Sequence, residues 1–301
     1  MSDLEYAKPA LNINEQYNKL CQQKLIINDE EETKSFLLNN SLFRFRSYSY
    51  FFQEMKTPGK PFKNQVCFND IIDLYDFDNE LRLLVFKAIQ KIEIAVRNQI
   101  IYEYSIEYGS HWHLDSKHFH NIDQYSKFKE KIDSEEKRDS GKDIQKYKQR
   151  YPTSKSSACW IIFDVISFTS LSLMFGNLNK SVQTKNIVKH FGLNNYFVLR
   201  NWIYCLTVLR NICAHHSRLW NRELIDLQVP AKTSQPFTIN QNKPKCVYSY
   251  LCCLQYLLNQ VDKNNTFKTD LKNLFSNYSS SLYLIEMGFP HDWEKEEFWC
   301  S

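Results

Sequence analysis

Apolar residues recur every three or four positions through much of this chain, which is the spacing of one face of an α-helix. The longest such region opens at residues 68–78 and keeps the spacing to Ile100, so it predicts the strongest helix of the chain. Ahead of it, two short helices are predicted within residues 13–39, and another helix over residues 43–52. Residues 57–61 contain two Pro and one Gly and predict a loop.

The second half of the chain predicts five further helices, at residues 160–175, 186–191, 196–215, 248–261 and 270–283. Gly176 and Gly192 are expected to end the first two, and Asn194 and Asn195 are N-cap candidates for the third. A stretch rich in Ser, Thr, Asn, Gln and Pro at residues 230–244 is typical of a linker. With only 6 Gly and 8 Pro among 301 residues, the pattern predicts an all-α fold.

Composition leaves the role of one aromatic segment open. Hydrophobic residues make up 43% of the chain and aromatic residues 15%, so a large core is expected. In residues 43–52, aromatic side chains alternate with Arg44 and Arg46. These aromatic side chains either pack into the core or stack on RNA bases. A net charge of +4 is compatible with an RNA-binding surface but does not indicate one.

Residues 105–155 resemble an insertion between the two main helical regions. Its run at 133–150 is highly charged and poor in apolar residues, which is typical of a solvent-facing helix pair or a flexible segment. The basic half of that run could instead contact RNA phosphates.

Cysteine usage and apolar runs indicate the compartment. The nine Cys include no Cys-x-x-Cys pair, which suits free thiols in a reducing environment. The N-terminus shows no signal peptide, and the most apolar window, residues 159–175, is too short and polar for a membrane span. A soluble cytoplasmic protein without a membrane partner is expected.

The densest set of chemically capable side chains lies at residues 209–222, where the sequence reads LRNICAHHSRLWNR. Imidazoles can take up and release protons near neutral pH, and the planar guanidinium of Arg pairs with phosphate oxygens. If the stretch is helical, Asn211 and His215 share one face, Arg218 and Arg222 follow near it, and His216 points elsewhere. The pattern favours phosphate chemistry.

HEPN-type ribonucleases carry a motif in which an Arg is followed by a polar residue and, after four to six intervening residues, by a His. This stretch resembles that motif at Arg210, Asn211 and His215, because four residues separate His215 from Arg210. The wider string at 209–222 resembles the Abi-like abortive-infection family, whose members are regarded as HEPN proteins. Five earlier segments are similar to segments of that family in the same order: KPAL at 8–11, LIINDE at 25–30, FRFRSY at 43–48, LYDFDNELR at 74–82 and IEIAVR at 92–97. The resemblance spans residues 8–222.

The resemblance implies a HEPN-like helical bundle with peripheral helices. One domain over residues 1–301 is expected, with an N-terminal helical part at 1–67, a core at 68–104 and 156–230, the charged insertion at 105–155 and C-terminal helices at 245–301. It further implies a metal-independent endoribonuclease that leaves 2′,3′-cyclic phosphate and 5′-hydroxyl ends and acts as a toxin in phage defence. No cofactor or metal is expected.

Arg210, Asn211 and His215 are the predicted catalytic residues. Further candidates for binding RNA or phosphate are His216, Arg218, Asn221, Arg222, Glu93 and Arg97. Because the chain contains one motif, the resemblance implies a homodimer that brings two motifs together. An antitoxin protein or a small RNA is the kind of partner that restrains related toxins.

Several alternatives remain. His215 could be a buried structural residue, with Arg210 paired to Glu223. The Glu93–Arg97 pair could be an ordinary interhelical ion pair. The pairs His111/His113 and His118/His120 could form a His-only metal site, although exposed His residues in an aromatic loop are the simpler interpretation. The protein could also be a non-catalytic component that binds RNA or another protein.

Overall fold

The computed structural model describes residues 9–138, 142–278 and 281–300. These residues form α-helices, short 3-10 turns and isolated bridges, and no strand lies among them, so the all-α prediction is confirmed. They divide into two compact units, and the boundary between Glu80 and Leu81 lies inside one long helix. The HEPN-like topology and the single domain stay predictions. Residues 139–141 of the charged run, residues 279 and 280 of the last predicted helix and residue 8 of the resemblance lie outside the described residues.

The first unit contains three short helices and the start of the long one. They are α1 (Ile13–Gln22), α2 (Glu30–Asn40), α3 (Leu42–Ser49) and α4 (Phe68–Tyr108). Helix α1 begins with a capping box in which Asn12 and Glu15 each accept from the other's backbone N–H. Asp29 caps α2 in the same way through the N–H of Glu32. The two helices predicted within residues 13–39 are confirmed.

The aromatic segment at residues 43–52 packs in part into the core of this unit. Phe45 and Tyr48 are almost fully buried, and the ring of Phe45 stacks on that of Phe68 at 5.5 Å. The hydroxyl of Tyr48 donates to the carboxylate of Asp78 at 2.7 Å. Phe43, by contrast, is 85% exposed. Core packing therefore accounts for Phe45 and Tyr48.

Among its described residues, the second unit contains the rest of α4 and ten further α-helices. They are α5 (Ile122–Lys137), α6 (Lys142–Arg150), α7 (Cys159–Val165), α8 (Phe168–Gly176), α9 (Val182–His190), α10 (Tyr196–Ala214), α11 (Val247–Val261), α12 (Phe267–Asn277), α13 (Ser281–Glu286) and α14 (Glu297–Cys300). Among the described residues, no helix is long and apolar enough to cross a bilayer.

Three expectations for this unit were wrong. The predicted helix over residues 160–175 is two helices, because Ser167 caps α8 by accepting from the N–H of Ser170. Helix α9 begins earlier than predicted, at a capping box formed by Ser181 and Thr184. The His pairs are not uniformly exposed, since His113 and His118 are buried in an aromatic cluster.

Helix α10 runs through the middle of the second unit. Trp202 in its centre is fully buried, and its indole N–H donates to the carbonyl of Gln228 at 2.8 Å. Tyr196 at its start donates its hydroxyl proton to the carbonyl of Phe175 at 2.7 Å, and burial raises the pKa of that phenol to about 12. A side chain at Gly176 would begin 3.0 Å from Nε of Arg200, so α8 and α10 pack closely there. These contacts fix the helix that leads to the motif.

Candidate active site

The candidate motif lies at the C-terminal end of α10. The helix ends at Ala214, and His215 is its C-cap, with its backbone N–H donating to the carbonyl of Asn211 at 3.0 Å. His216 follows with a φ of +53°, and the N–H groups of His216 and Ser217 return to the carbonyls of Cys213 and Ile212. This is the Schellman arrangement, with His216 in the left-handed position that usually favours Gly. The expectation that a helical face carries Arg218 and Arg222 was wrong.

The three predicted catalytic residues lie on the last turn of α10 and its cap. His215 is exposed, and Arg210 and Asn211 are half-buried. Within the described residues, no hydrogen bond or ion pair engages the imidazole of His215. Nη1 of Arg210 lies 3.4 Å from Oδ1 of Asn211, and its guanidinium carbon lies 5.6 Å from the ring centroid of Phe86 on α4. A cationic donor and an amide therefore contact each other on the last turn of α10, and an exposed imidazole follows at its C-cap.

His216 also satisfies the spacing of the motif. Four residues separate His215 from Arg210, and five separate His216 from it. An ideal helix would point His216 elsewhere, but α10 ends before either residue, so helical geometry does not separate them. The structure places both imidazoles at the exposed end of α10.

The loop after the motif is fixed by two buried side chains. Leu219 and Trp220 are fully buried, and the indole N–H of Trp220 donates to the carbonyl of Tyr283 at 3.1 Å. Because this anchor lies five residues after His215, it restricts where the exposed part of the loop can go.

The three polar candidates in this loop make contacts that shape it. Nη1 of Arg218 donates to the carbonyl of Trp220 at 2.7 Å, and Arg222 donates to the carbonyl of Arg218 at 3.1 Å. The amide of Asn221 donates to Glu286 at 3.0 Å, and its backbone has a φ of +49°. These contacts stabilise the conformation of the loop. Binding of RNA by Arg218, Asn221 and Arg222 stays a prediction.

Glu93 and Arg97 form a buried ion pair on α4. Nη2 of Arg97 lies 2.8 Å from Glu93, and Nη1 donates to the carbonyl of Ile166 at 3.1 Å, at the break between α7 and α8. Arg97 is eleven residues beyond Phe86 on the same helix, which corresponds to roughly 16 Å. The contacts support the interpretation as a structural ion pair, and a role in binding phosphate stays a prediction.

Two alternatives find no support in these contacts. His215 is exposed rather than buried, and Glu223 pairs with Lys245 at 3.6 Å rather than with Arg210. In the described part of the chain, no group of three or more His, Cys, Asp or Glu side chains is arranged to hold a metal ion. His113 is enclosed by Trp112 and Phe163, and neither of its ring nitrogens has a hydrogen-bond partner there.

One structural residue of α10 was missed from the sequence. The side-chain amide of Asn201 donates to the carbonyl of Asp226 at 3.0 Å and accepts from the N–H of Gln228 at 2.8 Å. It ties the chain returning from the motif loop to the middle of the helix. Arg200-Asn201 repeats the Arg-Asn pair found at Arg210-Asn211, but no pattern in the sequence predicts this contact.

The matched family decides what kind of protein carries this site. A family model described as Abi-like protein matches residues 35–221, which include the whole of α10, Arg210, Asn211 and His215. The chain belongs to the Abi-like protein family. Membership of the Abi-like family indicates a role in abortive infection, the defence of a host population against phage. Comparison with curated proteins and with solved structures finds no match.

Proposed function

We propose that this Abi-like protein is a metal-independent endoribonuclease of the HEPN type, which cleaves RNA during abortive infection. The observation that carries the proposal is the end of α10, where an exposed His215 follows a half-buried Arg210 and Asn211. A structural role does not require an exposed imidazole at the end of a helix whose last turn carries a cation without a carboxylate partner among the described residues. Cleavage of a phosphodiester through its own 2′-hydroxyl requires such groups.

The reaction transfers a phosphoryl group of the RNA backbone from the 5′-oxygen of one nucleotide to the 2′-oxygen of the preceding one. Neutral His215 accepts the proton of a ribose 2′-hydroxyl as its oxygen attacks the adjacent phosphorus, and the bond to the 5′-oxygen breaks. A second imidazole, in its protonated form, gives its proton to that leaving oxygen. The products are a 2′,3′-cyclic phosphate and a 5′-hydroxyl. Arg210 stabilises the extra negative charge on the pentacoordinate phosphorus, and Asn211 orients the phosphate or the imidazole.

The second imidazole is proposed to come from another copy of the chain. An imidazole can act as a base or as an acid, so one copy of His215 can take the proton of the 2′-hydroxyl while the other supplies a proton to the leaving oxygen. A homodimer in which both α10 ends face one cleft would supply Arg210, Asn211 and His215 twice. His216 is the other candidate for the acid, because it lies at the same helix end.

Cleavage of labelled RNA by the purified protein and by its His215→Ala variant tests the proposal. Because His215 is exposed and caps the helix through its backbone, the variant is expected to fold and to lose cleavage by at least about 100-fold. His291→Ala is the matched control, since that side chain is exposed as well but lies far from the motif in sequence. If the wild type does not cleave RNA, and the variant binds RNA as tightly as the wild type does, the protein is instead a non-catalytic RNA-binding component.

Restraint of the toxin is part of the same proposal. An antitoxin protein or a small RNA that covers the end of α10 would keep the exposed His215 from its substrate. Either partner would protect His215 from modification by diethyl pyrocarbonate, and RNase treatment of the complex would remove the protection only in the second case.

A further inference from the structure

One face of helix α10 is exposed at Phe197 and Tyr204, half-buried at Val208 and Asn211, and leads to the exposed His215. At 100° per residue, Phe197, Tyr204, Val208 and Asn211 fall within about 60° of one another around the helix axis. Phe197 is 46% exposed and Tyr204 is 43% exposed, while the opposite face of the helix is buried. The face is roughly 27 Å long from Phe197 to His215.

The start of this face opens into a basic cavity of about 800 Å³. Lys180, Lys185 and Lys189 line it, and among the described residues no Asp or Glu does. None of the three lysines forms an ion pair within the described part of the chain. The ammonium group of Lys180 lies 4.5 Å from the ring centroid of Phe197. A cavity with three uncompensated positive charges and an exposed ring is complementary to a polyanion that carries planar groups.

A second cavity, of about 340 Å³, continues along the same face. It shares Phe197 with the first and is also lined by Arg200 and Tyr204. Ser172 lines it as well, and this buried hydroxyl has no hydrogen-bond partner within the described residues. A buried hydroxyl without a partner is costly unless a ligand or water satisfies it. The two cavities therefore extend the basic and aromatic character from Lys180 toward the motif.

We infer that this face of α10, with its two cavities, is a binding track for single-stranded RNA. Lysines at its start hold backbone phosphates, the rings of Phe197 and Tyr204 stack on bases, and the strand runs along the helix to the exposed imidazole of His215. Bases in an A-form duplex are already stacked on one another, so the track should favour single strands. The inference rests on the proposed function for the reaction at His215, but binding itself requires no cleavage.

Fluorescence anisotropy with a labelled oligouridine of about 12 nucleotides, within the usual site sizes of single-strand binders, measures the track directly. The protein carries His215→Ala so that no turnover disturbs the equilibrium. Phe197→Ala is expected to weaken binding by about tenfold or more, because a base loses its stacking partner. The double variant Lys185→Gln/Lys189→Gln is expected to lower the slope of log affinity against log salt by about 1.4, which is the value for two lost phosphate contacts.

The matched control is Lys56→Gln/Lys60→Gln, which removes the same charge from exposed positions between α3 and α4, away from the residues that line the two cavities. Equal weakening by the two double variants would overturn the track, because it would show that RNA responds only to net charge. Unchanged affinity in Phe197→Ala, or tighter binding of a duplex than of the single strand, would overturn it too. A third result would also overturn it. If Phe197→Ala changed the oligomeric mass of the protein in solution but kept its affinity for RNA, the face would be an interface between copies.

Failure of the track and failure of the proposed function give different results. If the track is wrong but the ribonuclease is right, Phe197→Ala in the otherwise wild-type chain cleaves RNA as well as its parent. If the ribonuclease is wrong but the track is right, the wild type cleaves nothing, and Phe197→Ala still loses affinity for oligouridine.

Discussion

The backbone N–H of Gln228 donates to Oδ1 of Asn201 at 2.8 Å, and the same amide group donates to the carbonyl of Asp226. Ten residues later on α10, Asn211 makes no such clamp, and its side-chain oxygen lies 3.4 Å from Nη1 of Arg210. The two Asn residues of the repeated Arg-Asn pair therefore have different roles. The first holds the returning chain, and the second stands at the candidate site.

Exchange of these two side chains for Ala should separate stability from activity. Asn201→Ala removes two hydrogen bonds and should lower the free energy of unfolding by about 1–3 kcal/mol while cleavage is retained. Asn211→Ala should leave the free energy of unfolding almost unchanged and reduce cleavage. Urea unfolding and an RNA cleavage assay on both variants check this, and each variant is the control for the other. The reverse pattern would show that the site has been assigned to the wrong Asn.

The ion pair between Glu93 and Arg97 should be a stability element. Arg97→Met leaves the carboxylate of Glu93 and the carbonyl of Ile166 without their donor in a largely buried place, which should cost about 3 kcal/mol or more. Lys34→Met, which breaks the exposed pair with Glu30, should cost well under about 1 kcal/mol. Denaturant unfolding compares the two. A stable Arg97→Met variant that binds RNA more weakly would instead favour a direct role for Arg97 in phosphate binding.

The buried His113 should make stability depend on pH. Burial, together with the nearby His111, lowers the pKa of His113 to about 4. Between pH 4 and about 6.5 the unfolded chain therefore binds a proton that the folded chain does not, so the free energy of unfolding rises with pH across this window. The contribution is about 3 kcal/mol at neutral pH and is lost as pH falls toward 4.

Unfolding of His113→Phe measured from pH 4 to 7 checks this dependence. Within this window, the free energy of unfolding should rise more steeply with pH in the wild type than in the variant. The difference in slope should match the uptake of close to one proton on unfolding. His291→Gln serves as the control, because His291 is exposed and should leave the slope unchanged. Parallel curves for wild type and His113→Phe would show that His113 is protonated as easily in the folded chain as in the unfolded one.

RNA cleavage should require the planar guanidinium of Arg210 and not only its positive charge. Arg210→Lys keeps a cation but loses the paired N–H donors and the flat surface that lies over Phe86. RNA cleavage should fall by roughly 100- to 1000-fold, with little change in RNA affinity. Arg138→Lys at the C-cap of α5 makes the same exchange at a side chain that is 66% exposed and should keep full activity. If Arg210→Lys were fully active, Arg210 would contribute general charge rather than specific stabilisation of the phosphorane.

The sequence predicted helices well wherever the signal is local. The 3.6-residue apolar period marked α4 and α10, and Asn195 caps α10 as expected. The break before α8 also had a local signal, because Ser167 and Ser170 have the spacing of a cap, but the apolar run around them concealed it. The capping box at Ser181 and Thr184 could likewise have placed the start of α9.

The end of α10 and the partners of the motif could not be predicted in this way. The left-handed residue that stops the helix is His216, not Gly, so no ordinary C-cap signal is present. Phe86 lies under Arg210 because of packing between α4 and α10, which are far apart in sequence. Burial of His113 likewise depends on Phe163 from a distant helix. Contacts of this kind leave no periodic or compositional trace.

Analysis of the RNA ends tests the central claim most directly. Wild type and His215→Ala are incubated with labelled RNA in EDTA, and the fragments are examined for 2′,3′-cyclic phosphate and for 5′-hydroxyl groups that accept phosphate from a kinase without prior dephosphorylation. We predict that the wild type yields fragments with a 2′,3′-cyclic phosphate and a 5′-hydroxyl and that this cleavage survives EDTA. We predict no fragments from the variant. Fragments with 5′-phosphate and 3′-hydroxyl ends, or undiminished cleavage by His215→Ala, would contradict it.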